Sequence, residues 1–205
     1  MNQEFVLRPN PEFERNAAMY RTYHHLYRGG EVLRQNAAEY LSRRIREPHE
    51  VYQERLSRVF YENYIGSIID WYAATLFRRE PIVTYEQGSE RGRAFFGEFL
   101  DDCDRKETAL GDFLRQQFTH ALVFGRSYAL VDFPKQTGVA TNQAEEDALG
   151  FSRAYLTGFT PEQMTNWAYD EVGRFDWVVF RQERLTPTLE NNPRWRRETR
   201  WYYFD

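Results

Sequence analysis

The chain has 205 residues, a formal charge of −4 and a 17% share of aromatic residues, so it can bury a core of its own and is a poor overall candidate for clamping nucleic acid through its phosphates. A single cysteine, Cys103, excludes an intramolecular disulfide, and no apolar run is long enough to span a bilayer. The N-terminal stretch MNQEFVLRPNPEFER lacks the apolar centre of a signal peptide, so membrane and secretion roles are not expected.

Residues 1–11 read as an arm, closed by Pro9, Asn10 and Pro11, before a helix from Glu12 to about Tyr27 that Gly29 and Gly30 stop. A second helix is expected from Glu31 to about Arg44. The stretch 48–79 contains no internal proline and one glycine, and it reads as a single long helix. Pro48 suits its first turn, Arg78 and Arg79 complement its negative end, and Pro81 blocks its continuation. Ile65, Ile68, Ile69, Tyr72 and Leu76 form an apolar stripe on its second half. Asn63, Ser67 and Asp70 interrupt that stripe on one face, either as a buried polar network or as a contact with a partner chain. With Trp71, the residues Asn63 and Asp70 are the candidate subunit interface.

Beyond Pro81 the segment IVTY predicts a brief strand, followed by a helix from about Glu90 to Asp104. Thr108 is placed to cap a further helix from about Ala109 to Val123, which Gly125 terminates in a left-handed conformation. Strands are expected at 127–133 and 152–159, joined by a polar segment, 135–150, expected to be mobile. The TPEQ sequence predicts one helical turn with Thr160 as cap and Gln163 completing a capping box. Trp167 to Tyr169 and Phe175 to Arg184 predict a hairpin across DEVG, with a last strand from Trp195 to Phe204.

Residues suited to chemistry form no recognisable constellation. His24 and His25 are helix neighbours, pointing apart, and cannot chelate one metal from the same face. His120 has no nucleophile pattern beside it, and Asp101, Asp102 and Asp104 lack the spacing of a calcium loop. No phosphate-binding loop occurs. A nucleic-acid-binding reading rests on Arg194, Arg196 and Arg200, whose alternation with Trp195 and Trp201 places arginines on one strand face and tryptophans on the other. A metal-assisted hydrolase using His120 and the 101–104 run is a third reading.

Three motifs resemble a known family. They are YLSRRIREPHEVYQERLSRVFYENYIGSIIDWYAATLFRREPIV, LRQQFTHALVFGRSYALVDFP and EEDALGFSRAYLTGFTPEQMTNWAYDEVGRFDWVVFRQE, covering most of residues 40–185. In their order and spacing they resemble the N-terminal part of phage portal proteins, the head-to-tail connector subunits. The family runs well beyond this length, so the chain is expected to be a fragment or a truncated relative, without the stem helix, clip and tunnel loop.

The resemblance implies a structural subunit of a twelve-fold ring at the portal vertex of a virion, assembled in the host cytoplasm. It also implies terminase, major capsid or scaffold protein and a head-tail adaptor as partners, with DNA passing through the channel without sequence-specific binding. No catalytic residue, cofactor or metal is implied. The expected fold is α+β and resembles a portal wing: an arm (1–11), a mainly helical region (12–124) that includes the long helix, and a mainly β region (125–205).

Overall fold

The computed structural model describes residues 3–84, 89–134, 142, 145, 153–188 and 194–205. Most of the segment expected to be mobile, 135–150, lies outside the described residues. The fold mixes helix and sheet, with α1 (Gln3–Leu7), α2 (Pro11–Arg28), α3 (Gly30–Gln35), α4 (Ala37–Tyr40), α5 (His49–Ser57), α6 (Tyr64–Leu76), α7 (Glu90–Asp101) and α8 (Leu110–Phe124) preceding the strands. These are β1 (Tyr128–Asp132), β2 (Tyr155–Phe159), β3 (Met164–Tyr169), β4 (Phe175–Pro187) and β5 (Trp195–Phe204). The chain divides into two compact units, one of residues 1–23 and 159–205, the other of residues 24–158.

The first unit is built on an antiparallel sheet of order β3-β4-β5. Its core combines Phe159, Met164, Trp167, Trp177, Val178, Val179 and Phe180, all buried. Two asparagines tie the N-terminus to β3, because each offers both a donor and an acceptor where backbone groups have no ladder partner. Asn166 Nδ2 donates to the carbonyls of Phe5 and Val6, each at 3.2 Å. Asn10 donates through its backbone N–H to Thr165 O at 2.8 Å and through Nδ2 to Trp167 O at 3.2 Å, while its Oδ1 accepts from Glu12 N at the start of α2. The stretch expected to be an arm therefore contains a short helix and is bonded to the sheet.

The DEVG hairpin forms as its chemistry requires. Gly173 takes a φ of 81°, and Asp170 Oδ1 accepts from Val172 N and Arg174 N. The TPEQ segment is a hydrogen-bonded turn, not a helical one, although Gln163 Oε1 accepts from Thr160 N at 2.8 Å as half of a capping box.

The second unit is mainly helical and adds the two-stranded β1-β2 sheet. The expected helix over 48–79 is two helices, separated by residues 58–63. Continuing it would require Asn63 to stay in the helix. Instead Asn63 Oδ1 caps α6 by accepting from Gly66 N at 2.8 Å, and its Nδ2 donates to Tyr27 O at 2.6 Å. Tyr61 Oη donates to Leu26 O at 3.1 Å, fixing the same break against α2. The helix expected over 31–44 is likewise divided at Asn36, whose Nδ2 donates to Val32 O. No strand forms at 82–84, since among the described residues no neighbouring strand accepts its backbone bonds. Thr108 does not cap α8: the cap position is Ala109, without a side-chain bond.

Gly125 ends α8 in the left-handed conformation expected, at φ 79° and ψ −11°. A methyl group there would meet nothing within 4 Å, so only the backbone preference opposes it. Gly125→Ala should lower the unfolding free energy by about 1 kcal/mol and Gly125→Val by more, read from denaturant midpoints. Equal stability of the three proteins would contradict this.

Ahead of α5, Arg55 clasps Glu47 with two hydrogen bonds, Nε to Oε1 at 2.9 Å and Nη2 to Oε2 at 2.8 Å, and Arg44 N donates to Oε2 at 3.1 Å. These bonds, led by that from Arg55, hold the Glu47 carboxyl down to about 2 from an ordinary 4.5. A depressed folded-state value means that the contact contributes fully above about pH 4.5 and is lost as pH falls towards 2. Melting temperature should therefore fall across that window, and Glu47→Gln should flatten the fall. Superimposable pH profiles for the two proteins would remove the argument.

Candidate interaction surfaces

Helix α6 turns two different faces to its surroundings. Its inner face carries Gly66 and Ala73, both buried, with Phe77 just beyond it packed on Phe118 of α8 at 5.8 Å between ring centres. Small side chains let the helix approach closely. A Cβ at Gly66 would lie 2.9 Å from Tyr27 O. Asp70 also points to α2, accepting from Tyr27 Oη at 2.7 Å. Partial burial, followed by that bond, pushes the Tyr27 hydroxyl up to about 12.

The outer face presents Tyr64, Ile65, Ile68, Trp71, Tyr72 and Leu76, all exposed, over an arc of roughly 140° at 100° per residue. No charged side chain lies within that arc. Trp71, 62% exposed, meets Tyr72 edge to face at 5.2 Å. Taking ~150–250 Å² for each large side chain, these six leave roughly 700 Å² in water. A partner in a standard interface buries about 800 Å². An arc of this extent, broken only by the hydroxyl of the exposed Thr75, marks an interaction surface more often than an ordinary exterior.

The structure thus separates the expected interface trio. Asn63 and Asp70 are bonded within the unit, while Trp71 faces solvent. The apolar stripe noted in the sequence is the outer face, apart from the half-buried Ile69. Periodicity alone detects such a stripe but does not say which way it turns.

In the first unit, β5 pairs with β4 from Val178↔Phe204 to Pro187↔Trp195. The register puts Arg196 opposite Thr186 and Arg200 opposite Gln182, so both share a face with Arg184 of β4. Arg194 lies just outside β5, with its backbone N and O bonded to Thr188. Trp195 and Trp201 occupy the other face with Leu185. Arg194, Arg196 and Arg200 are therefore brought together as the alternation requires. Arg184 is a member of the group that the sequence reading missed, because only strand pairing reveals it.

The remaining candidates do not converge. His120 lines an open cleft of about 640 Å³ with Tyr27, Asp70 and Arg115, whereas Asp101 lines a different cleft, of about 510 Å³, with Phe77 and Leu110. Burial, then the nearby His24, lowers the His120 value, favouring the neutral ring. Asp102 and Asp104 accept backbone N–H bonds from Lys106, Glu107 and Thr108 and are used in holding their own turn. His25 Nδ1 bonds to Tyr40 Oη at 2.7 Å, and Cys103 is buried. Among the described residues no group of three His, Cys, Asp or Glu side chains is arranged to hold a metal ion. No protein-family model and no curated protein matches the chain.

Proposed function

We propose that this chain is a structural subunit of a viral portal ring, self-associating through the outer face of α6. The observation that carries the reading is that face: a broad, uncharged, apolar arc on a helix whose inner side is already packed. The resemblance of the three sequence motifs to portal proteins supplies the kind of assembly. A twelve-fold ring at a capsid vertex would give this face a neighbouring subunit to cover it.

In this reading the work of the protein is mechanical and it has no catalytic activity of its own. It acts in the virion as part of the conduit through which DNA is packaged and ejected, and as a platform for terminase, capsid or scaffold protein and a head-tail adaptor. The test is the native mass of the purified protein. The expected result is a closed oligomer of twelve 24.7 kDa copies. Trp71→Asp or Ile68→Asp should reduce it to protomers that still fold cooperatively, since both side chains are more than half exposed in the protomer. A monomer at high concentration, or variants that assemble to the same mass, would refute the role of α6.

A further inference from the structure

We propose that the outer part of the β4–β5 ribbon is a contact surface for the phosphate backbone of double-stranded DNA, made by Arg184, Arg194, Arg196 and Arg200 on one face. The inference does not rest on the ring reading: duplex binding by a monomer would leave it intact.

The ribbon outgrows its sheet. β3 pairs with β4 only between Phe175 and Phe180, whereas β5 accompanies β4 as far as Pro187. From Gln182 onwards, past the bond from Arg181 N to Gln163 O, the hairpin is two-stranded, and its residues are exposed or half-buried. Two strands alone are marginally stable in water, so an arm of this kind gains order from something laid against it.

Its charge is opposite to that of the chain as a whole. Between 181 and 188 and between 194 and 201 stand six arginines and two glutamates, in a protein of net charge −4. Glu183 is paired with Arg197 at 3.4 Å and Glu198 with Arg200 at 3.2 Å. Arg184, Arg194 and Arg196 make no ion pair among the described residues. Side chains two apart on a strand stand roughly 6.7 Å apart, so along this face Glu198 stands opposite Arg184 and between Arg196 and Arg200; its carboxylate is taken up by Arg200, which leaves Arg184, Arg194 and Arg196 in excess, with Gln182 as a neutral donor beside them. Guanidinium groups meet phosphate oxygens two at a time, and a two-stranded ribbon is narrow enough to lie along the major groove.

Two other partners fit less well. An acidic protein would need an apolar centre for a dry interface, and the arginine face has none; phosphate contacts work while wet. A single strand would stack its bases on Trp195 and Trp201, but these point away from the arginines, so one strand cannot use both.

The experiment is fluorescence anisotropy of the full chain with a random-sequence duplex at varied salt. Three to four phosphate contacts predict an affinity that falls on the order of a hundredfold from 50 to 200 mM salt. Arg184→Gln with Arg196→Gln should weaken binding and reduce the salt slope by about 2, while Trp195→Ala leaves the slope unchanged. Arg194→Gln, outside the paired strands, should reduce it by about 1 even where the double variant folds poorly. Absence of duplex binding at 50 mM salt, a slope indifferent to the arginines, or equal displacement by polyglutamate would overturn the proposal. So would tighter single-strand binding that disappears with Trp195→Ala.

Discussion

Gly66→Ala should destabilise the helical unit by about 2 kcal/mol, although the same change in an exposed helix stabilises by about 1 kcal/mol. The reversal follows from what a methyl group would meet. Its Cβ would lie 2.7 Å from Asn63 Nδ2 and 2.9 Å from Tyr27 O. The amide group can rotate away, but only by giving up both of its bonds, and the carbonyl belongs to a helix backbone that cannot move by itself. Losing the cap costs about 1 kcal/mol, and leaving Tyr27 O without its partner costs about 1–3 kcal/mol. Together these outweigh the gain in helix propensity. Gly66→Val should cost more, since its branched side chain adds a second clash. Denaturant midpoints of the two variants decide the matter: a midpoint for Gly66→Ala at or above that of the parent would show that α6 does not depend on close approach to α2.

Phe180→Ala should remove about 3–5 kcal/mol from the sheet unit, the range found when a buried phenylalanine is truncated. Phe180 is 3% exposed, lies against Phe159 with ring centres 3.8 Å apart and meets Phe204 edge to face at 6.1 Å. One substitution therefore empties the position where the end of β2, the middle of β4 and the end of β5 come together. Against a typical total of about 5–15 kcal/mol, the loss leaves the unit close to unfolding at ambient temperature. Phe180→Leu, which keeps most of the volume, should cost markedly less. Fluorescence of Trp167 and Trp177, both buried in the same unit, reports the transition. A shift under about 1 kcal/mol for the alanine variant would mean that the neighbouring rings close the cavity.

These two sites differ in how far the sequence announced them. Phe180 belongs to an apolar run expected to be a strand, and its burial follows from the pairing of that strand on both sides. Gly66 was legible only as the one glycine in a presumed long helix. Nothing local indicated that Asn63 would reach Tyr27, 36 residues away.

Local chemistry was sufficient wherever the deciding atoms lie within a few residues of one another. Gly125 ends α8 because a left-handed residue is needed there, Asp170 and Gly173 close the β3–β4 hairpin, and strand alternation alone put Arg196 and Arg200 on one face and Trp201 on the other. Tertiary structure decided the rest. It divided residues 48–79, because bonds from Tyr61 and Asn63 to the end of α2 replaced helical ones. It left Ile82 and Val83 without a strand, because β propensity needs a neighbour. It added Arg184 to the arginine face through a register that links residues twelve to sixteen apart. It also turned the apolar stripe of α6 outwards: Gly66 and Ala73 admit another helix backbone at close range, whereas Trp71 and Tyr72 hold it away, so the small residues face the packed interior and the large ones face water.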